Sequence, residues 1–224
     1  SSDGNKIEVV ENGVDTKRFK YNQETRQEMR EKYSIDNETV VIGYIGNLAN
    51  YEGLDLVLES VKRLNEESKS KIVFMIVGSG SYKKNLVSNT EKLDLVESVI
   101  FIEKIDYDQI HNYYNIFDIV VYPRKSCNIC NLSSSGKIFE AMAMKRPIII
   151  SNLDLWKNIL TDRENCIFFE QDNANDLLLK IKNLISDRAL IEKLGQNARK
   201  WVKSERKWNN MGKKMESIYE SLVK

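Results

Sequence analysis

Short runs of apolar residues alternate along most of the chain with longer segments of helical periodicity. The runs are continuous instead of alternating with polar residues, which is typical of strands buried on both faces of a parallel sheet. This pattern predicts strands at 40–45, 72–77, 99–102, 116–122, 147–151 and 166–169. Between the strands, apolar residues recur at helical spacing, as Leu54, Val57, Leu58 and Val61 do.

The segments between the strands and after them are predicted to be helical. They are 53–67, 82–93, 107–115, 137–144 and 153–160, followed by a helical tail from 173 that Gly195 interrupts. Alternation of strands and helices favours an α/β fold, here a Rossmann-like, doubly wound parallel sheet of about six strands with helices on both faces. The first forty residues are predicted to hold a short strand at 6–10 and a charged helix at 23–33.

The loops at one edge of this sheet are the candidate ligand site. In open sheets of this type, ligands bind beyond the carboxyl ends of the strands. Four predicted loops lie there: 46–53, 78–82, 103–106 and 123–136.

The last of these loops leads through Ser133, Ser134, Ser135 and Gly136 into a helix that begins with Lys137. Unpaired N–H groups at a helix N-terminus bind phosphate, and Glu140, one turn later, could accept two hydrogen bonds from a sugar diol. The segment therefore favours a nucleotide site, while an ordinary surface helix with a serine-rich cap remains the alternative.

Composition excludes several other classes of function. A net charge of +1 over 224 residues offers no basic surplus for nucleic acid. No apolar run is long enough to span a bilayer and no leader is visible, so a cytoplasmic location is expected. Three cysteines suggest a reducing compartment. We interpret Cys127 and Cys130 as loop residues and expect no metal site, because the only histidine, His111, falls on a distant helix.

Several short motifs, taken in order, resemble the donor-binding C-terminal half of family 4 (group 1) glycosyltransferases, which have the two-domain GT-B architecture. The motifs are VVENGVD at 9–15, GYIG at 43–46, YEGL at 51–54, VGSG at 77–80, DIVVYPR at 118–124 and FEAMA at 139–143. The resemblance implies a linker and leading helix at 1–39, a nucleotide-sugar-binding domain at 40–204 and a crossover helix at 205–224. It also implies that an N-terminal, acceptor-binding half lies outside this chain, which alone is expected to turn over little substrate.

The resemblance implies a retaining hexosyltransferase of surface-polysaccharide synthesis (capsule, exopolysaccharide or lipopolysaccharide). Its donor would be a nucleotide sugar, with a UDP-sugar expected, and no metal cofactor would be required. The acceptor would be lipid-linked, which would place the enzyme at the inner face of the membrane.

The resemblance also implies roles for individual residues. Glu140 would bind the ribose, the loop Ser133–Gly136 the diphosphate and sugar, and Lys104 with Ile105 the base. Gly46 would let backbone approach the phosphates because it has no Cβ, and Gly78 is assigned to the same site.

The sequence departs from the family pattern at two points. Asn47 and Glu52 are also assigned to the donor site, although many members have an arginine and a lysine there, and Leu132 replaces a second glutamate. Arg124 and Lys137 are therefore expected to supply the catalytic positive charge. Because of these departures, a degenerate, non-catalytic module of the same fold stays open as an alternative. Half of a sugar-nucleotide epimerase, which shares the architecture, is another.

Overall fold

A computed structural model describes residues 8–67, 71–127, 130 and 135–223. Its centre is a sheet of six parallel strands in the order β3-β2-β1-β4-β5-β6. The strands are β1 (Val40–Ile45), β2 (Ile72–Val77), β3 (Val99–Ile102), β4 (Ile119–Tyr122), β5 (Ile148–Ser151) and β6 (Ile167–Phe169). The doubly wound α/β architecture predicted from the sequence is confirmed.

Helices cover both faces of the sheet, and their apolar stripes form the core with the strands. They are α1 (Gln23–Lys32), α2 (Leu54–Glu67), α3 (Lys83–Lys92), α4 (Ile110–Ile116), α5 (Gly136–Ala143), α6 (Asp154–Lys157), α7 (Ala174–Ile185), α8 (Arg188–Glu205) and α9 (Trp208–Val223). Every residue of β2 is buried, as a strand between two helical layers requires.

The leading helix α1 is anchored to the sheet by charged groups. Arg26 Nη2 lies 2.6 Å from Asp118 Oδ1, and the buried Arg30 donates to the carbonyl oxygen of Thr39. Asp118 also accepts a hydrogen bond from the Val41 backbone N–H at 2.8 Å. The first described segment is thereby tied to the start of β1 instead of standing apart from the domain.

Some predicted boundaries are wrong. Strand β4 begins at Ile119 instead of 116, because 110–116 form α4. Residues 8–10 lie outside any strand, and the rest of the predicted strand at 6–10 falls outside the described residues. The tail consists of three helices, and Gly195 lies inside α8, packed against the carbonyl oxygen of Lys145, instead of interrupting a helix.

The strand order reverses direction between β1 and β4, which are neighbours in the sheet although β2 and β3 lie between them in sequence. Loops that leave such a pair of strands run apart and open a crevice at the carboxyl edge. The candidate site lies at this point. The predicted domain boundaries at 39/40 and 204/205 stay predictions.

Candidate functional site

The loop after β1 brings Glu52 against the loop after β4. Residues Asn50–Glu52 form one turn of 3-10 helix, and Gly53 ends it in the left-handed conformation at φ 71°. A side chain at Gly53 would overlap the carbonyl oxygen of Pro123, in the loop after β4. Lys125 N–H donates to the Tyr51 carbonyl oxygen at 2.9 Å, which joins the two loops.

Glu52 lies in a buried cluster with Arg124 and Lys137. The Arg124 guanidinium pairs with Glu52 at two points, Nε to Oε2 and Nη2 to Oε1, both at 3.2 Å. Lys137 Nζ lies 3.7 Å from Glu52 Oε1. Only 1% of Glu52 and 8% of Arg124 are exposed. A direct contact of Glu52 or Arg124 with a donor, as the resemblance implies, would require these pairs to open.

The ammonium group of Lys137 fills the space above Gly46. A Cβ on Gly46 would overlap Lys137 Nζ and would lie 2.8 Å from the Tyr44 hydroxyl oxygen. Lys137 Nζ also lies 5.4 Å from the centre of the Tyr44 ring, a cation–π distance. Because Gly46 has no side chain, the Lys137 ammonium fits in this space. The sequence analysis instead expected the Gly46 backbone to approach the phosphates there.

Opposing effects act on the pKa of Lys137. Burial lowers it, because the charged form loses water, and the Glu52 carboxylate partly offsets this. The Arg124 guanidinium lowers the pKa of Lys137 further, and Glu140 raises it. The site thus holds a partly desolvated cation that an incoming anion would stabilise.

Glu140 lies one turn further along α5, between two tyrosine hydroxyls. Tyr107 Oη is 3.3 Å from Glu140 Oε1, and Tyr114 Oη is 3.3 Å from Oε2. Burial raises the pKa of Glu140, while hydrogen bonds from the two tyrosines and the charge of Lys137 oppose the rise. The carboxylate is therefore half-buried and held in place by its hydroxyl partners.

A cavity of about 440 Å³ opens beside this carboxylate, at the ends of β1, β2 and β3. Five of the residues predicted from the sequence line it, namely Gly46, Asn47, Gly78, Lys104 and Ile105. Its walls are mainly apolar, as is usual in sites that bury a small molecule. The structure thus brings five of the predicted donor-site residues to one place, near Glu140 and Lys137.

Tyr107 also lines this cavity, and the sequence analysis did not assign it to the site. Its side chain is 50% exposed, and it lines the cavity while contacting Glu140. Partial burial and the nearby carboxylate raise the pKa of Tyr107 to about 12. The guanidinium of Arg18 lies 5.3 Å from its ring centre, and the Phe19 ring meets it edge-on. Its position directly after the loop 103–106, which is predicted to lie at the ligand edge of the sheet, is the sequence feature that could have identified it.

The N-terminus of α5 is only partly described. Ser135 is the N-cap residue, but its side chain makes no capping hydrogen bond, and Gly136 is the first helical residue. Ser133 and Ser134, which the sequence assigned to the diphosphate, lie outside the described residues, as does Leu132.

The structure corrects the interpretation of two cysteines. Cys127 and Cys130 form a disulfide, with their Cα atoms 5.2 Å apart, a separation that this bond requires. The Cys130 backbone N also lies 3.3 Å from Cys127 Sγ. Reading them as unpaired loop residues was therefore wrong.

Two features are absent from the part of the chain that the structure describes. Within 8–67, 71–127, 130 and 135–223, no group of three or more histidine, cysteine, aspartate or glutamate residues is arranged to hold a metal ion. In the same part of the chain, no helix combines the length and apolar character needed to cross a bilayer. Metal independence stays a prediction.

Comparison with known proteins adds an independent line of evidence. The family model described as "Glycosyl transferases group 1" matches residues 25–201. The capsular polysaccharide biosynthesis glycosyltransferase CapM of Staphylococcus aureus is 26% identical over 227 aligned residues, which cover 98% of this chain and 57% of CapM. The chain spans about half the length of the curated relatives it matches.

Solved structures share the fold. The Anabaena protein HepE in complex with UDP matches with a TM-score of 0.85 at 16% identity, over 96% of this chain and 57% of HepE. The C-terminal domain of the group 1 glycosyl transferase LpcC from Francisella tularensis matches with a TM-score of 0.73 at 26% identity. That alignment covers 88% of this chain and 100% of the LpcC domain.

Proposed function

The chain belongs to the group 1 glycosyl transferases, and we propose that it is the part of such an enzyme that binds the nucleotide-sugar donor. One observation carries the proposal. A carboxylate able to accept a diol, Glu140, contacts Tyr107, and a desolvated ammonium, Lys137, fills the space above Gly46; Tyr107 and Gly46 both line the cavity at the carboxyl ends of β1 and β2. A nucleoside diphosphate presents the matching groups in the matching order, namely base, ribose diol and phosphates.

Each part of the site has a proposed role. The base enters the apolar cavity, where the backbones around Gly78 and Ile105 contact it. Glu140 accepts hydrogen bonds from both ribose hydroxyls, since an ionised carboxylate has acceptor positions on two oxygens. Lys137 meets the diphosphate from the neighbouring turn of the same helix.

The proposed reaction transfers a hexose from the donor to an acceptor with retention of configuration. Negative charge builds up on the departing nucleoside diphosphate as the glycosidic bond breaks. A preorganised donor to such charge typically contributes about 3–4 kcal/mol to lowering the barrier. Lys137 is proposed to supply this stabilisation without a metal ion, and Arg124 to act from behind it.

The biological role extends beyond this chain. CapM is named for capsular polysaccharide biosynthesis, and HepE was solved with UDP bound. These relatives support a UDP-sugar donor and a role in surface-polysaccharide synthesis. The LpcC domain, which this chain covers completely, is the C-terminal domain of its enzyme. We therefore propose that a separate acceptor-binding half completes the enzyme, and that its acceptor is lipid-linked at the inner membrane face.

The Glu52–Arg124 pair favours a second candidate function. Because one of the two cations expected for diphosphate binding is already paired, the site could retain donor binding without transfer. In this case the domain would be a non-catalytic module that binds a nucleotide sugar.

A thermal-shift titration with UDP, GDP and ADP tests donor binding. A ligand that binds only the folded state raises the melting temperature. At a ligand concentration a hundred times the dissociation constant, it increases the free energy of unfolding by about 2.7 kcal/mol. UDP is expected to raise it in the wild-type chain and in Glu192→Gln, an exposed control on α8, but not in Glu140→Gln. Absence of a rise with all three nucleotides would contradict the proposal.

A further inference from the structure

Glu52 sits at the centre of the charged cluster, yet it is the most deeply buried of the three residues. Burying a carboxylate costs several kcal/mol unless the charge is paired with good geometry. Here both oxygens are engaged, and the 3-10 turn and left-handed Gly53 position the residue for that purpose. A carboxylate buried in this way is not stabilised by solvent, so its contacts with Arg124 and Lys137 must account for its position.

The two cations contact Glu52 in different ways. Arg124 is held at two points at 3.2 Å, the fork geometry that fixes a guanidinium in one orientation. Lys137 Nζ is 3.7 Å from a single oxygen, which is beyond hydrogen-bond length. This contact attracts the ammonium but uses none of its three N–H donors at hydrogen-bond length.

Other groups confine the ammonium from the remaining sides. It packs over the Tyr44 ring and into the space left by Gly46, at the edge of the cavity. The Tyr44 hydroxyl donates to the Asn47 carbonyl oxygen, which fixes the ring. Glu52 therefore supplies a negative charge that draws Lys137 toward this position, in addition to the weaker effect of Glu140.

We propose that Glu52 is a positioning residue of the donor site, whose carboxylate fixes Arg124 and holds the Lys137 ammonium beside Gly46, where it meets the donor diphosphate. The inference rests on the proposed function. It places Glu52 behind the ligand instead of in contact with it. The long contact to Lys137 is exchanged for a phosphate oxygen when the donor binds, while the two-point contact to Arg124 persists.

Removing the charge of Glu52 distinguishes two possible roles for this residue. It either positions Lys137 or merely neutralises part of the cluster's positive charge. With Glu52 ionised, the three residues carry a net charge of one positive unit, and Glu52→Gln raises it to two. On charge alone, this substitution would tighten the binding of an anion. If Glu52 positions Lys137, the same substitution weakens binding, because the ammonium loses the group that holds it.

The experiment measures dissociation constants of UDP and uridine for the wild-type chain, Glu52→Gln and Glu52→Asp. Aspartate keeps the charge but is too short to hold Arg124 at two points and still approach Lys137. Both variants are expected to bind UDP at least tenfold more weakly and uridine within twofold of wild type. Glu59→Gln, an exposed glutamate on α2, is the matched control and is expected to change neither constant.

A pH series adds a measurement that a purely structural role would not affect. Because the Glu52 carboxylate raises the pKa of Lys137, UDP affinity in Glu52→Gln is expected to decline at a lower alkaline pH than in wild type. If Glu52→Gln does not fold, the dissociation constants of UDP and uridine for Glu52→Asp provide the test instead.

Two results would overturn the inference while leaving the proposed function intact. These are unchanged or tighter UDP binding in the folded variants, and an equal loss for UDP and uridine. If the wild-type chain binds neither ligand, the proposed function fails, and this inference fails with it.

Discussion

Gly46 and Lys137 share one space at the edge of the sheet: the ammonium lies where a side chain at Gly46 would stand. The two residues are far apart in sequence, on β1's loop and on α5, and they meet because β1 and β4 are neighbours. Lys137, which is proposed to contact the donor diphosphate, can therefore occupy this position only because the residue at 46 is a glycine.

Gly46→Ala is expected to weaken UDP binding about tenfold, which corresponds to about 1.4 kcal/mol. The added methyl group displaces the Lys137 ammonium from its position over Tyr44. Titration calorimetry measures the effect. Gly212→Ala is the control, since a Cβ there meets nothing within 4 Å. It is expected to leave UDP binding unchanged and to stabilise α9 by up to about 1 kcal/mol.

The pH dependence of UDP binding is expected to report Lys137. Burial lowers the pKa of this lysine, so its ammonium loses a proton at a lower pH than an ordinary lysine does. UDP affinity should therefore fall as the pH rises through this lowered pKa. In Lys137→Arg the charge persists at alkaline pH, and the part of the decline that is due to Lys137 should vanish. Identical alkaline profiles for the two proteins would contradict the assignment.

Uridine binding is expected to report Glu140 at acid pH. Burial raises the pKa of Glu140, so the carboxylate is protonated, and loses acceptor capacity, at a higher pH than an ordinary glutamate. Affinity for uridine should fall as the pH drops through this raised pKa, and ligand-observed NMR can follow it. Tyr107→Phe removes a hydrogen bond that lowers the pKa of Glu140, so the loss should begin at a still higher pH.

Tyr219→Phe, an exposed position on α9, is the matched control for this measurement. It should leave the acid profile of uridine binding where it is in wild type. An unchanged profile in Tyr107→Phe would mean that its hydroxyl does not stabilise the Glu140 carboxylate.

Asp118→Asn is expected to destabilise the fold by about 2–3 kcal/mol, because it removes the charge that partners Arg26 and the buried Arg30. For a chain of this size, the melting temperature should drop by roughly 5–10 °C. Asp108→Asn is the control, since this carboxylate is largely exposed and pairs with Arg18 at the surface. Its cost should stay below about 1 kcal/mol. Equal losses in the two variants would contradict the anchoring of α1.

The sheet could be predicted because its signal is local. Strands β1 and β2 coincide with the predicted ranges, since an unbroken apolar run bounded by a polar loop specifies a buried strand without reference to the rest of the chain. Strand β4 could not be delimited in this way. Ile116 continues the apolar run in sequence, but it ends α4, and Asp118 interrupts the run to pair with Arg26.

The candidate site could be predicted only in outline. The loops at the carboxyl edge followed from the alternation of strands and helices, and Glu140 from its position one turn into a helix. Lys104 and Ile105 line the cavity, and their contact with the base stays a prediction. The pairing of Glu52 with Arg124 could not be predicted. It depends on two side chains 72 positions apart meeting across adjacent loops. The same applies to Tyr107, whose role depends on its distance to Glu140.

The crystal structure of this chain with UDP tests the central claim most directly. The account predicts uracil in the cavity beside Gly78, both ribose hydroxyls within hydrogen-bond distance of Glu140, and a phosphate oxygen on Lys137 Nζ. Arg124 should remain paired with Glu52. A nucleotide bound away from Glu140, or a diphosphate that leaves Lys137 against Glu52, would contradict the account.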